Sequence, residues 1–505
     1  MTVNFNGVIR IMGILLIVLG VCMIPSLLVA VIYSEDISIR CFSLTLIPCL
    51  GVGILMTRIF RPSLIKLKAR DGFLIVSLSW IISSLIGAVP LTMSGAIPSY
   101  VDSFFEVCSG FSTTGSTILS DVESLPKSML FWRSFTHWLG GMGIIVFAMA
   151  FMPSIGVSGQ LIASAETPGP TLDKVSPKFS DTARSLYLVY IFFTMLETIL
   201  LTAGGMSLYD ALIQTFGTVG TGGFSNYGNS IAHFTSPYIQ WVIIIFMVMC
   251  GVNFNLYFTL AKHGPMAMLK DPELRFYLFI IGIAGALITL NLLISGGYAS
   301  ISKGVRDSFF QVTSIITTTG YATADYELWP TFSKMVLFLL MLIGACSSST
   351  GGGVKVIRIL ISFKLIRRGV SLKLHPNRVT SLTLNGREVP QDIASNIANF
   401  VFLYILVIFT GTLIVSFNGY DIITTLSAVV TCVGNVGPGF QKVGPVENFG
   451  FFSDFSKLVL SFLMIAGRLE LFTFFMIYKI TVIVNLHITG QRQPVFALIQ
   501  TADTV

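Results

Sequence analysis

An aspartate is followed thirteen residues later by a glycine at four places in this chain, about a hundred residues apart. Each glycine closes a short run rich in Ser, Thr, Val and Gly, and each run lies between two long apolar stretches. One spacing that recurs four times indicates an internal repeat, in which each copy is one supersecondary unit. We therefore predict a fourfold repeat of helix, half-helix, loop and helix, carried by the pairs Asp102 and Gly115, Asp210 and Gly223, Asp307 and Gly320, and Asp421 and Gly434.

The composition places these repeats in a membrane. Apolar residues make up 53% of the chain and charged residues 11%, and the mean hydropathy is +0.82. These values lie outside the range of soluble globular proteins. About 20 apolar residues cross the ~30 Å hydrocarbon core of a bilayer. Runs of this length predict an all-α polytopic membrane protein with ten spans, at 7–33, 41–60, 73–94, 131–153, 185–207, 237–261, 275–296, 333–365, 396–417 and 455–487.

The basic residues orient these spans, because Lys and Arg in short loops accumulate on the cytoplasmic side. With both termini in the cytoplasm, most of the 31 Lys and Arg residues lie inside and all four Asp-to-Gly segments lie outside. The net charge of +7 is then a consequence of topology, so it does not indicate a nucleic-acid partner.

Few side chains in the spans are suited to chemistry. The seven cysteines and five histidines are scattered and show no metal-ligand spacing, so we predict no disulfide framework, no transition-metal site and no cofactor. A membrane enzyme needs converging acids, bases or metal ligands. Beyond Glu197, Arg468 and Glu470 the spans contain almost no ionisable residue, and we predict that the protein is not an enzyme.

The residues after each aspartate predict a short helix that enters the membrane from outside, with the aspartate as its N-cap. About nine residues reach some 14 Å, halfway through the hydrocarbon. Non-helical backbone at that depth is tolerated only where it is buried in protein or lines a water-filled path. The negative ends of four helix dipoles then favour a cation, and glycine permits the backbone angles that expose rings of carbonyls to it. The alternative is that the four segments are extracellular turns.

The four loops resemble the filter sequences of the superfamily of potassium transporters that includes TrkH, KtrB and the plant HKT proteins. The resemblance covers residues 73 to 487, and the two spans before the first repeat make it closest to TrkH-type subunits. It implies potassium uptake across a bacterial inner membrane, with potassium as the transported ion, through four membrane-pore-membrane repeats around a central ion pore. The implied segments are 1–70, 71–155, 182–265, 272–368 and 392–490. The implied filter residues are Thr113, Thr114, Gly115, Thr221, Gly222, Gly223, Thr318, Thr319, Gly320, Cys432, Val433 and Gly434.

The inner span of the third repeat is interrupted by a run of small residues from Gly344 to Gly353. Each glycine costs about 1 kcal/mol relative to alanine in a helix, and the hydroxyls compete for backbone hydrogen bonds. The run is not a phosphate-binding loop, because it lacks the Gly-Lys-Ser/Thr ending. The resemblance implies an intramembrane loop that obstructs the pore and moves on gating, with a static kink as the alternative. The gate residues are then Gly344, Ser347, Ser348, Ser349, Thr350, Gly351, Gly352 and Gly353.

Arg468 is the one basic residue that the sequence places deep in a span. Burial of such a cation costs about 2.5 to 3.5 kcal/mol on insertion scales. Within about 5 Å of a permeating ion it would repel that ion by roughly 3 kcal/mol at an effective dielectric constant of 20. The resemblance implies that Arg468 restricts the pore as part of the gate. The alternative is a structural ion pair with Glu197 or Glu470.

The cytoplasmic segment 366–395 is long and basic, which suits either a soluble partner or an anchor on the lipid surface. The resemblance implies a homodimer on a cytosolic ring of nucleotide-binding TrkA-type subunits. The rival mechanism is a potassium symporter coupled to protons or sodium. Alternating-access symporters are commonly built from inverted repeats with broken helices. Here the repeats are parallel and only the third inner span is interrupted, so we favour a channel-like pore.

Overall fold

The protein is an α-helical polytopic membrane protein, as the sequence predicts. The computed structural model describes residues 4–60, 69–143, 179–298, 300–376, 381–384 and 387–471. In these ranges six helices are long and apolar enough to cross a membrane, or seven when one bent pair is counted as a single span. The only strands described, Thr383–Leu384 and Arg387–Glu388, form a two-stranded antiparallel hairpin.

Two helices, α1 (Phe5–Ile32) and α2 (Asp36–Ile59), precede the repeats and pack side by side. They approach closely because Gly13 and Gly53 lie at the contact, where a Cβ on Gly13 would stand 3.0 Å from the Gly53 carbonyl. Small residues allow such approach between membrane helices. The carboxylate of Glu35, in the connection, accepts hydrogen bonds from the Lys127 amide at 2.7 Å and the Ser128 amide at 3.2 Å. These hydrogen bonds therefore attach the helix pair α1 and α2 to the first repeat.

Each of the four repeats contains an outer helix, a half-helix and an inner helix. We call the repeats the first to the fourth unit, in chain order. The outer helices are Ala69–Met93, Phe179–Ala203, Pro272–Ile294 and Gln391–Val415. The half-helices are Tyr100–Phe111, Leu208–Gly220, Ile301–Ile316 and Ile422–Gly434. The inner helices are Lys127–Gly141, Pro237–Cys250, Thr331–Ile343 and Asp454–Arg468. The later parts of the predicted spans 131–153 and 455–487 lie outside the described residues.

The third inner helix is interrupted where the sequence predicts. It ends at Ile343, Gly344 adopts a φ of 78°, and a new helix, Val356–Leu374, begins twelve residues later. We call residues 344–355 the intramembrane loop. The helix Val356–Leu374 covers the first nine residues of the segment 366–395, and the hairpin lies within the same segment.

The second inner helix is also broken, so the prediction that only the third is interrupted is wrong. The helix Pro237–Cys250 is followed by Asn255–His263 at an angle of 94°. Backbone of the intramembrane loop takes the hydrogen bonds of the broken turn, because Cys346 N donates to Gly251 O at 3.0 Å and Phe254 N donates to Ser348 O at 3.1 Å. The break depends on a neighbouring unit, which local sequence does not reveal.

The aspartates do not all cap the half-helices, which corrects a second prediction. Serines cap the first two, with Ser99 accepting from the Asp102 amide at 3.3 Å and Ser207 from the Asp210 amide at 3.1 Å. Asp307 lies inside the third half-helix. Asp421 alone is an N-cap, accepting from the Thr424 amide at 2.9 Å. Hydrogen bonds from Thr424 lower the pKa of the Asp421 carboxyl.

Candidate ion-conducting site

The loops after the four half-helices meet in a closed ring. One glycine from each loop has a positive φ, between 77° and 99°, and lies against the backbone of the next loop. A Cβ at these positions would contact the carbonyls of Gly222, Thr319, Val436 and Thr114 in turn. Side chains therefore have no room at the contact, and L-residues also disfavour this backbone region. The ring glycines are Gly115, Gly223, Gly320 and Gly437.

The residue two places before each ring glycine is left-handed as well. These residues have φ values between 54° and 60° although none is glycine. Left-handed non-glycine residues are uncommon and mark functional or strained backbone. One conformation recurs in all four loops, which indicates that the loops are built alike. The residues are Thr113, Thr221, Thr318 and Asn435.

The fourth loop begins three residues later than the spacing from Asp421 predicts. Gly434 is the last residue of its half-helix, and Cys432 and Val433 are helical too. The equivalent loop residues are Asn435, Val436 and Gly437. The reason is the register of the half-helix: Gly115, Gly223 and Gly437 each follow the helix N-cap by sixteen residues, whereas Asp102 and Asp210 lie three residues inside the helix and Asp421 is the cap itself.

A buried ion pair, which the sequence pattern does not reveal, contacts two loops of the ring. Glu106 of the first half-helix pairs with Arg133 of the first inner helix. The carboxylate also accepts from Thr117 Oγ1 at 2.8 Å and from Ile118 N at 2.9 Å, and the guanidinium donates to Ser225 O at 2.9 Å. The pair thus joins the first loop to the second.

Neutral hydrogen bonds make similar connections elsewhere around the ring. The Tyr321 hydroxyl, next to a ring glycine, donates to Gln214 O at 2.9 Å in the second half-helix. Ser116 Oγ donates to Gly437 O at 3.0 Å, which joins the first loop to the fourth. Contacts between units therefore hold the ring in place and fix the positions of its carbonyls.

The intramembrane loop lies directly against the ring. The amide of Gly352 donates to Thr318 Oγ1 at 2.7 Å, and Thr350 Oγ1 donates to Cys250 O at 3.2 Å. Gly351 also lies close to Thr318 and to the Thr317 carbonyl. The predicted gate residues and the loop of the third unit are thus brought together.

Glu273 fastens the other end of the intramembrane loop. Its carboxylate, 4% exposed, accepts from Ser347 N at 2.6 Å, from Ser347 Oγ at 2.7 Å and from Ile357 N at 3.2 Å. Glu273 is the second residue of the third outer helix. Local sequence does not reveal this role, because the partners of Glu273 are seventy or more residues away in the chain.

Arg468 connects three units through main-chain carbonyls. Its guanidinium donates to Thr350 O at 2.7 Å in the intramembrane loop, and to Gly140 O at 2.8 Å and Gly141 O at 2.7 Å on the first inner helix. Glu470, one of the partners considered for Arg468, pairs with Arg358 at 2.7 Å. The predicted gate arginine therefore contacts the predicted gate loop.

Two further basic residues lie close to Arg468 and Glu470. Lys355 is 2% exposed and its Nζ donates to Gly351 O, and Arg358 is 5% exposed with its guanidinium 4.0 Å from the centre of the Phe400 ring. Lys355 borders a cavity beside the intramembrane loop together with Arg468 and Glu470, and Arg358 reaches this cavity through its ion pair with Glu470. Arg468, which the sequence places alone inside a span, is therefore accompanied by two further buried basic side chains.

Comparison with known proteins identifies the family. A family model described as "TrkH: Cation transport protein" matches residues 42–483. The chain belongs to the TrkH family. This confirms the resemblance to TrkH-type subunits, and the family consists of transport proteins, as predicted for a chain that is not an enzyme.

Individual TrkH-family relatives align over nearly their whole length. The Trk system potassium uptake protein TrkH of Escherichia coli strain K12 is 37% identical over 481 residues, 95% of this chain and 99% of the relative. The Trk system potassium uptake protein TrkG of the same organism is 33% identical over 472 residues, which are 92% of this chain and 96% of TrkG. The crystal structure of the potassium transporter TrkH from Vibrio parahaemolyticus has a TM-score of 0.84 at 34% identity, over 94% of this chain and 98% of that one.

Proposed function

We propose that this chain takes up potassium across the bacterial inner membrane through a channel-like pore. The observation that carries the proposal is the closed ring of four loops, each with a left-handed residue and a left-handed glycine two places later. Such backbone can present carbonyls to an axis, where they replace the hydration shell of a cation. The relatives are named potassium uptake proteins, which supports potassium as the transported ion.

The filter in this proposal consists of three residues from each loop. The half-helices end at the ring, so the negative ends of their dipoles face the ion. The fourth triplet follows the corrected register. The filter residues are Thr113, Thr114, Gly115, Thr221, Gly222, Gly223, Thr318, Thr319, Gly320, Asn435, Val436 and Gly437.

The gate in this proposal is the intramembrane loop, held closed by Arg468 and Glu273. Hydrogen bonds to charged groups contribute about 1.5–3 kcal/mol each. The bonds of Arg468 to Thr350 and of Glu273 to Ser347 therefore favour one loop position strongly. For the loop to open, these hydrogen bonds would have to be replaced by hydrogen bonds to water. A movement of the neighbouring inner helices could separate the partners and admit that water.

We propose that this chain has the oligomeric assembly and the membrane topology that its resemblance to the family implies. The relatives' names refer to a Trk system, which implies further components. We expect a homodimer, a cytosolic TrkA-type nucleotide-binding subunit, both termini in the cytoplasm and the segment boundaries given above. Arg367 of the helix Val356–Leu374 is exposed, which leaves this basic side chain available to such a subunit.

Coupling to protons is the second candidate, and Glu197 is the observation that favours it. This residue of the second outer helix is 0% exposed, and neither carboxylate oxygen accepts a hydrogen bond from the described residues. A buried carboxylate in hydrocarbon is costly, and carboxylates inside membrane spans commonly mark proton relays. If it carries a proton during transport, Glu197→Gln abolishes uptake driven by a pH gradient and leaves passive rubidium flux intact.

Rubidium-86 uptake into liposomes that contain the purified chain tests the main proposal. We expect uptake that potassium competes and sodium does not, measured with and without the cytosolic partner. Empty liposomes are the control for leakage, and the Gly223→Ser variant is the control for the contribution of the ring. Absence of rubidium, potassium or sodium flux in folded protein would contradict the proposal.

A further inference from the structure

Two oxygen atoms of the third loop lie beside Gly351, and two oxygen atoms at the base of the fourth loop lie beside the next residue, Gly352, whose amide also contacts Thr318 Oγ1 of the third loop. A Cβ on Gly351 would stand 2.8 Å from Thr317 O and 3.3 Å from Thr318 Oγ1. A Cβ on Gly352 would meet the Gly434 carbonyl and stand 3.2 Å from Asn435 Oδ1. We call these four atoms, Thr317 O, Thr318 Oγ1, Gly434 O and Asn435 Oδ1, the inner oxygen cluster.

The amide of Asn435 is held so that its oxygen faces the intramembrane loop. Its Nδ2 donates to Thr114 Oγ1 at 3.0 Å and to Met464 O at 2.9 Å. These two bonds fix which end of the amide carries the nitrogen. Asn435 is 0% exposed, and its Oδ1 has no hydrogen-bond partner among the described residues. A buried oxygen without a donor is unfavourable, and a bound cation would satisfy it.

The chemistry of the inner oxygen cluster suits a monovalent cation. All four atoms are neutral oxygens, whereas divalent cations are held mainly by carboxylates. Thr317 and Gly434 lie at the ends of two half-helices, so the negative ends of two dipoles point at the cluster.

The closed loop competes for this cluster. The Gly352 amide donates to Thr318 Oγ1, so the positive end of an N–H dipole lies where a cation would bind. In the same loop the positively charged side chains of Lys355 and Arg468 donate hydrogen bonds to the carbonyls of Gly351 and Thr350. We propose that the inner oxygen cluster binds a monovalent cation and that the intramembrane loop closes by taking its place, so that potassium promotes opening. This inference rests on the proposed function.

The size of the effect follows from linkage. A ligand that binds only the open form shifts the equilibrium by a factor of one plus its concentration over its Kd. Potassium at ten times its Kd for the cluster would raise the ratio of open to closed loop about elevenfold.

Hydrogen exchange of the loop measures this shift directly. The full chain in lipid nanodiscs is exchanged in potassium chloride and, at equal ionic strength, in N-methyl-D-glucamine chloride, and the peptide that contains residues 344–355 is followed by mass spectrometry. We expect potassium to speed its exchange by up to about elevenfold. In Thr318→Val, which removes both the cation ligand and the acceptor of the Gly352 amide, exchange should be fast in both salts.

Thr313→Val is the matched control, because its hydroxyl donates to Phe309 O at 2.8 Å within the same half-helix; it should keep the wild-type response to potassium. Asn435→Asp tests the cluster without removing an oxygen. Aspartate also tolerates the left-handed conformation, and its negative charge should lower the potassium concentration at half effect by about tenfold or more. A purely structural Asn435 would leave that concentration unchanged.

Two outcomes would overturn the inference: wild-type exchange that does not respond to potassium, or that slows, and a potassium response that survives in Thr318→Val. Rubidium uptake is measured on the same preparation. Uptake without a potassium effect on the loop refutes the inner cluster alone, whereas the absence of uptake refutes the proposed function.

Discussion

Arg133 Nε and Glu106 Oε1 lie 2.5 Å apart in an ion pair whose members are 3% and 0% exposed. The equivalent residue in the second and third half-helices is a glutamine, Gln214 or Gln311, nine residues before the ring glycine as Glu106 is. The first unit therefore uses a charge pair where its neighbours use amides. Because Arg133 also bonds to Ser225, this pair joins two of the loops that form the ring.

We expect Arg133→Met to lower stability by about 3–5 kcal/mol, because it leaves Glu106 buried and unpaired. The double variant with Glu106→Gln should lose less than the single variant, since no charge then remains buried. Thermal unfolding in detergent measures the stability, and rubidium uptake competed by sodium measures the filter. Equal losses in the single and double variants would show that the two charges do not depend on each other.

The fourth loop offers a direct test of the corrected register. Gly437 has a φ of 99° and a Cβ there would stand 2.8 Å from Thr114 O, whereas Gly434 is helical and its nearest neighbour would be at 3.2 Å. Gly437→Ala should reduce potassium selectivity about tenfold, because the left-handed conformation alone costs alanine roughly 1–2 kcal/mol. Gly434→Ala is the control and should change selectivity much less. A larger effect at Gly434 would restore the register read from Asp421.

Arg468 can restrict flux by charge or by tethering the loop, and two substitutions separate these effects. Arg468→Ala removes both, and Arg468→Lys keeps the charge but cannot bridge three carbonyls in two units. Because each lost charged hydrogen bond contributes about 1.5–3 kcal/mol, we expect both variants to raise rubidium uptake at least about tenfold. Lys364→Ala, whose partner is Thr383 O in the hairpin, is the control. Uptake that rises in alanine but not in lysine would assign the effect to charge.

Glu273→Gln should also open the gate. The neutral amide keeps one oxygen but loses the charge that three donors share, which weakens the closed loop by about 1.5–3 kcal/mol. Rubidium uptake should rise tenfold or more, and deletion within Gly351–Gly353 should act in the same direction. Asp392→Asn is the matched control, because Asp392 is likewise the second residue of an outer helix but is exposed. Unchanged uptake in Glu273→Gln would show that this carboxylate does not hold the gate.

The sequence by itself determined the membrane class, the fourfold repeat, the interrupted third inner helix and the family resemblance. These features are local: apolar length, repeated spacing and a run of glycines and hydroxyl residues are visible in one stretch of chain. Three of the four ring glycines, Gly115, Gly223 and Gly320, also follow from local spacing, because their loops share one length after the aspartate.

Only the tertiary structure decided the fourth register, the bend of the second inner helix and the partners of the buried charges. Gly437 is the fourth ring glycine because Asp421 is the N-cap of its half-helix, whereas Asp102 and Asp210 lie three residues inside theirs. The second inner helix bends because Cys346 and Ser348, almost a hundred residues away, take part in its hydrogen bonds. Glu106 and Glu273 remain buried because partners from other elements satisfy their oxygens, and such compensation depends on three-dimensional contact rather than on neighbouring residues.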